Sequence, residues 1–134
     1  MLKETIDVEL RVRYAETDQM GVAYYANYLV WFEVGRVEFC RKKGFIYADL
    51  EKSGYRLAVT DARCHYRNSA RYDELVIVRT RLKELNKRMI TFEYQVLRKG
   101  REELIAEGET RHICLDASNK PKSLPQAFMA RLAD

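Results

Sequence analysis

Proline and glycine are scarce in this chain, at two and six of 134 residues. That excludes collagen-like, mucin-like and linker-rich architectures, and 47% hydrophobic with 33% charged residues is the composition of an ordinary folded protein. Cysteine is scarce too. Cys40, Cys64 and Cys114 are odd in number, far apart and in no CxxC or CxxH arrangement, which argues against a disulfide framework and a structural zinc site. They read as reduced, mostly buried small hydrophobes. No apolar run is long enough to cross a bilayer, and the opening MLKETIDVEL has neither the apolar segment nor the small-residue cleavage site of a secretory signal. A cytoplasmic protein with no integral membrane segment is expected. Nor is there a block of like charge. The net charge of +4 comes from 24 Lys and Arg interspersed with 20 acids, a poor fit to nucleic acid and a good one to a small anionic ligand such as a nucleotide-tagged metabolite. The two histidines, His65 and His112, sit inside strand-like runs with no HxxxH or HExxH partner, so they read as structural.

What is present fits one domain, residues 1–134, long enough for one core and too short for two. TIDVELRVR alternates strictly, placing Ile6, Val8, Leu10 and Val12 on one side, the pattern of a half-buried strand. Residues 28–43 run without a breaker into Gly44, with Asn27 as N-cap and Arg41, Lys42 and Lys43 in the last turn, and predict the one long helix. Its apolar residues cover most of its circumference, so burial on several sides is expected. After a short helix in YADLEKSG come strand-like runs at 55–66, 74–85, 89–98 and 103–116, then a tail helix near SLPQAFMARL. Turn chemistry at Asn68-Ser69, Asn86-Lys87, Lys99-Gly100 and Ser118-Asn119 joins the runs, and tight joints imply antiparallel pairing of consecutive strands. The expected class is α+β, a long central helix wrapped by a curved five-stranded antiparallel sheet.

The unusual passage is AETDQMGVAYYANY, residues 15–28, which sets two carboxylates, a glycine and three tyrosines ahead of the long helix. Glu16 and Asp18 invite a divalent metal, but no third or fourth ligand stands at a supporting spacing; neither metal nor cofactor is expected. Asp18 begins a D-x-x-G stretch and, taken without the motif around it, reads as a turn or capping carboxylate. Tyr28 reads equally as core packing and as pocket lining.

This passage, matched at Tyr14, Glu16, Thr17, Asp18, Gly21, Val22, Ala23, Tyr24, Tyr25, Asn27 and Tyr28, resembles the signature of the 4-hydroxybenzoyl-CoA thioesterase family. These are hot-dog-fold acyl-CoA thioesterases, including the bacterial branch associated with the Tol-Pal system. ARYDELVIVRT, residues 70–80, is similar as well, and the order of elements agrees from end to end. The resemblance implies a hot-dog fold and hydrolysis of an acyl-CoA to free acid and CoA. It makes Asp18 the catalytic carboxylate, acting as nucleophile or as general base on a water, and makes the backbone N–H of Tyr25 the oxyanion donor. Many Tol-Pal-linked members carry His at position 25, where this chain has Tyr; a backbone role survives that change, a His-centred one does not. The same reasoning disfavours a hot-dog dehydratase.

Substrate contacts implied by the resemblance are Gly21, Val22, Tyr24 and Tyr28 around the carboxylate, with Lys87 and Arg88, then Arg71 and Lys122, as cations for the CoA phosphates. A homodimer or a homotetramer built as a dimer of dimers is implied, with an acyl-CoA or an acyl carrier protein as partner. The competing functional reading is a non-hydrolytic hot-dog module that binds acyl-CoA or acyl carrier protein.

Overall fold

A computed structural model describes residues 4–133. Its elements follow the chain as β1 (Thr5–Arg11), a 3-10 turn (Tyr14–Glu16), α1 (Asn27–Lys42), α2 (Tyr47–Lys52), β2 (Arg56–Tyr66), β3 (Leu75–Leu85), β4 (Met89–Arg98), β5 (Glu103–Leu115) and α3 (Gln126–Ala133). The strands form one antiparallel sheet in the order β1-β3-β4-β5-β2. The class expected from the sequence, α+β with a five-stranded antiparallel sheet and a long helix, is the one observed.

The alternation explains which side of the sheet is dry. Val76, Val78, Thr80 and Leu82 of β3 and Ile90, Phe92, Tyr94 and Val96 of β4 are all buried, as the period of two requires. They meet α1 through Tyr28, Trp31, Phe32, Gly35, Phe39 and Cys40, positions spaced by three, four or one, which is one helical stripe. Phe32 stacks on Tyr94 with centroids 4.3 Å apart, and Phe39 meets Phe92 edge-on at 5.8 Å.

Three expectations need correction. Consecutive pairing fails at the first joint, because β2 does not pair with β3 but lies at the far edge beside β5. Residues 67–74 carry the chain across the end of the sheet, held by the Arg67 and Asn68 N–H groups donating to the Ile105 carbonyl at 2.8 and 3.0 Å. The helix is also covered on one side only, since Leu29 and Val30 are exposed within the single chain. Finally, Asn27 is the first residue of α1 and not its cap. Its Nδ2 donates to the Glu16 carbonyl at 2.8 Å, tying the helix to the preceding loop instead of closing its own first turn.

A line of polar groups runs through the core. Tyr94 and Thr110 share a hydrogen bond of 2.5 Å, and Thr110 Oγ1 pairs with His112 Nε2 at 2.8 Å, while His112 Nδ1 has no partner among the described residues. Burial, with the nearby Arg36 charge second, pushes the His112 pKa down to about 3. The unfolded chain protonates this histidine near its ordinary value of about 6.5. Between those values only the unfolded state binds the proton, so stability rises with pH across the window and is lost as pH falls through it. Thermal unfolding from pH 7 to pH 3 is expected to show that loss, with His112→Gln flattening the slope by up to about 1.4 kcal/mol per pH unit. An unchanged slope in the variant would assign the acid sensitivity elsewhere.

Candidate active site

The loop ahead of α1 is built on its own backbone. Thr17 bridges Ala23 and Val22 bridges Arg71, while the Asp18 N–H donates to the Val22 carbonyl at 2.9 Å and the Gly21 N–H to the Asp18 carbonyl at 3.0 Å. Gly21 sits at φ +80°, a left-handed conformation that residues with a Cβ rarely adopt. Asp18 Oδ1 accepts the Met20 N–H at 2.9 Å, so the turn-forming role is real. It engages one carboxylate oxygen; no hydrogen bond from the described residues occupies Oδ2. Both functions suggested by the sequence are therefore compatible in one side chain.

Glu16 anchors this loop beneath the helix. Its carboxylate accepts the Arg13 N–H at 2.8 Å and the Trp31 indole N–H at 2.9 Å, and its carbonyl accepts the Tyr24 N–H at 2.7 Å as well as the Asn27 amide. Burial works against the charged form, but the hydrogen bonds from Arg13 and Trp31 outweigh it and hold the carboxyl below the usual range. With its oxygens committed to these donors, Glu16 is a structural knot. Among the described residues no group of three or more His, Cys, Asp or Glu side chains could hold a metal ion.

Just past the loop the chain turns into α1, and among the described residues no acceptor meets the N–H of Tyr25 or of Ala26. These are orphan donors of a helix start, with the positive end of the peptide dipoles behind them. Tyr24 and Tyr25 stand exposed over them, rings 4.7 Å apart, and contact with Tyr25, followed by burial and the Asp18 charge, raises the Tyr24 hydroxyl pKa. Tyr28 is placed differently. It is buried at 2% exposure, accepts the Ala70 N–H at 3.4 Å and packs on Trp31, so it backs the loop from the core.

Backbone bonds and a bridge hold Asp18, Gly21, Val22 and Arg71 in one cluster, and Tyr24, whose hydroxyl feels the Asp18 charge, packs beside Tyr25. It does not bring Lys87, Arg88 or Lys122 to them within one chain. Those three share the opposite end of the sheet, where the Lys87 carbonyl accepts from Leu124, the Arg88 carbonyl from Cys114, and the Lys122 N–H donates to the Cys114 carbonyl. The length of β3 separates the two groups by roughly 30 Å at about 3.3 Å per residue. Lys122 Nζ lies 4.1 Å over the Tyr55 ring, so its charge is in use locally. A cavity of about 520 Å³ opens on the outer face of the sheet, but it borders Arg63, Arg81, Glu93 and Glu109 and not Asp18. Its charges neutralise one another, as in Arg63 with Glu109 at 2.6 Å and Lys83 with Glu109 at 3.0 Å.

The sequence over residues 12–132 matches the model of the thioesterase-like superfamily. The chain belongs to that family. It is 40% identical over 121 residues to the putative acyl-CoA thioesterase YneP of Bacillus subtilis, covering 90% of this chain and 87% of that protein. With the acyl-CoA thioesterase YbgC of Haemophilus influenzae it shares 30% identity over 132 residues, 97% of this chain and 96% of that one. The crystal structure of DHNA-CoA thioesterase from Staphylococcus aureus superposes with a TM-score of 0.87 at 39% identity, over 90% of this chain and 80% of that chain. The hot-dog architecture expected of this thioesterase-like chain is thus the one it has.

Sequence reasoning missed two residues around the site. Glu16 entered only as a motif position and a potential metal partner of Asp18, although its place ahead of an aromatic helix was a usable signal. Tyr66, at the end of β2, donates its hydroxyl to the Tyr25 carbonyl at 2.9 Å; no local pattern marks it, because the contact spans 41 positions.

Proposed function

We propose that this chain is an acyl-CoA thioester hydrolase in which Asp18 and the start of α1 act on the same acyl carbonyl. In one route Asp18 removes a proton from water as the water oxygen bonds to the carbonyl carbon; in the other a carboxylate oxygen forms that bond and water later cleaves the mixed anhydride. In both the C–S bond breaks, CoA leaves as thiolate and takes up a proton, and the acyl group ends as the free acid. The carbonyl oxygen carries negative charge in between, and the unpaired Tyr25 N–H is the donor for it. Such a donor is worth about 2.7–4 kcal/mol of the barrier. The observation that carries this reading is a carboxylate held through only one oxygen in the loop that leads directly into a helix start with orphan N–H groups.

Gly21, Val22 and Tyr24 line the approach, with Tyr28 behind them. Of the four candidate cations, Arg71 is the one joined to the Asp18 loop within the chain, through its bridge to Val22, and it serves the CoA phosphates. Lys87, Arg88 and Lys122 serve the same purpose from a neighbouring subunit, since they lie too far away in their own. That requires a homodimer or a dimer of dimers, supported by β2, an edge strand exposing Val59, and by the open helix residues Leu29 and Val30. A cytoplasmic location is part of the proposal; among the described residues no helix is long and apolar enough to cross a membrane. An acyl carrier protein is the alternative donor of the thioester.

The test is thiol release from a panel of acyl-CoAs with short aliphatic, long aliphatic and aromatic groups, DHNA-CoA among them, after subtracting the signal of the three native cysteines. Turnover of at least one member is expected. Tight binding across the panel with no release would replace hydrolysis by the binding-module reading.

A further inference from the structure

Two peptide units at the start of α1 have unpaired N–H groups, and they are held by different means. The carbonyl of the Tyr24–Tyr25 unit accepts the Asn27 N–H at 2.9 Å, an ordinary turn bond. The carbonyl of the Tyr25–Ala26 unit accepts the Tyr28 N–H at 3.3 Å, a long bond, and the Tyr66 hydroxyl at 2.9 Å, a shorter one from another element. A trans peptide is planar, with C=O and N–H on opposite sides. Fixing the carbonyl of that unit from beneath therefore fixes the direction of its N–H above.

We infer that the Ala26 N–H is a second donor to the oxyanion and that Tyr66 is its positioning residue, acting through the Tyr25 carbonyl. The inference rests on the hydrolase reading of the Asp18 loop. Donation into a carbonyl also draws electron density through the peptide and makes the N–H a better donor. Tyr66 is itself constrained, since its ring meets Tyr28 edge-on at 5.1 Å and Tyr25 at 6.3 Å. Burial and the neighbouring Cys64 push its hydroxyl pKa well above the usual value, so the hydroxyl keeps its proton at any working pH. Tyr66 sits on the edge strand β2, so the same strand that would meet a neighbouring copy also braces the oxyanion site.

Tyr66→Phe removes the donor oxygen and keeps the ring. In the hydrolase assay kcat is expected to fall about tenfold with KM within about twofold, less than the loss from deleting a direct donor. In the free protein, the Tyr25 carbonyl carbon and Ala26 amide nitrogen resonances are expected to move together while the rest of α1 stays in place. Wild-type kcat in Tyr66→Phe, unmoved resonances of that peptide, or changes spread through α1 and β2 would each overturn the inference. Absence of turnover in the wild-type protein would instead sink the hydrolase reading, with the resonances still reporting whether Tyr66 holds the Ala26 amide.

Discussion

Asp18→Asn is expected to lower kcat by about three orders of magnitude, about 4 kcal/mol of barrier, while leaving the fold and KM nearly unchanged. The variant isolates charge from architecture. Asn retains a side-chain oxygen to accept the Met20 N–H, so the turn that leads through Gly21 into the helix persists. What it lacks is a basic oxygen, and amides neither deprotonate water nor form anhydrides under these conditions. Asp18→Ala removes both features and should add a loss of thermal stability to a similar loss of rate. Thiol release followed over a range of substrate concentrations, alongside thermal unfolding of both variants, separates the effects. Retained turnover in Asp18→Asn would leave Asp18 with its turn-forming duty alone.

The second large effect falls on stability. A Cβ at Gly108 would stand 2.1 Å from the Arg63 carbonyl oxygen and 2.8 Å from the Phe32 ring. The first neighbour is backbone of the paired strand β2 and cannot swing away, and the second is clamped by its stack on Tyr94. Gly108→Ala should therefore cost about 3 kcal/mol or more, at the upper end for overpacking, and lower the thermal midpoint by roughly 10 °C. Gly21 is the instructive contrast. Nothing lies within 4 Å of a Cβ there, and only its φ of +80° resists substitution, so Gly21→Ala should cost about 1 kcal/mol. A Gly108→Ala protein as stable as wild type would mean that β2 and β5 separate more easily than their register indicates.

The two glycines also show what a linear reading can recover. Gly21 stands in a turn pattern and its need for a left-handed backbone was legible locally, whereas Gly108 interrupts a strand run and its reason lies in Arg63 and Phe32, far away in sequence. The same division runs through the fold. Alternation identified β1, β3 and β4 and their dry faces, and the long helix was placed to within a residue, because both depend on neighbours along the chain. That β2 leaves its successor for the opposite edge depends on the path of residues 67–74, which no periodicity encodes.

At the site, the glycine, the carboxylate and the helix start were legible because the motif is contiguous. The supporting contacts were not. Glu16 reads as a motif position or a metal partner of Asp18 until its carboxylate is found on the Trp31 indole, and Asn27 reads as a cap until its amide is found on the Glu16 carbonyl. The sequence put Lys87 and Arg88 ahead of Arg71 and Lys122, yet of the four only Arg71 is joined to the Asp18 loop within the chain, since β3 puts its two ends far apart.

The convergence of Asp18 and the first turn of α1 on one carbonyl is the claim from which the chemistry follows. The most direct measurement is a crystal structure of the Asp18→Asn protein with an acyl-CoA that the wild-type protein hydrolyses. The thioester oxygen is expected about 3 Å from the Tyr25 or Ala26 nitrogen, with its carbonyl carbon facing the substituted side chain at position 18. A thioester bound elsewhere, or one whose oxygen points away from both amides, would contradict the account.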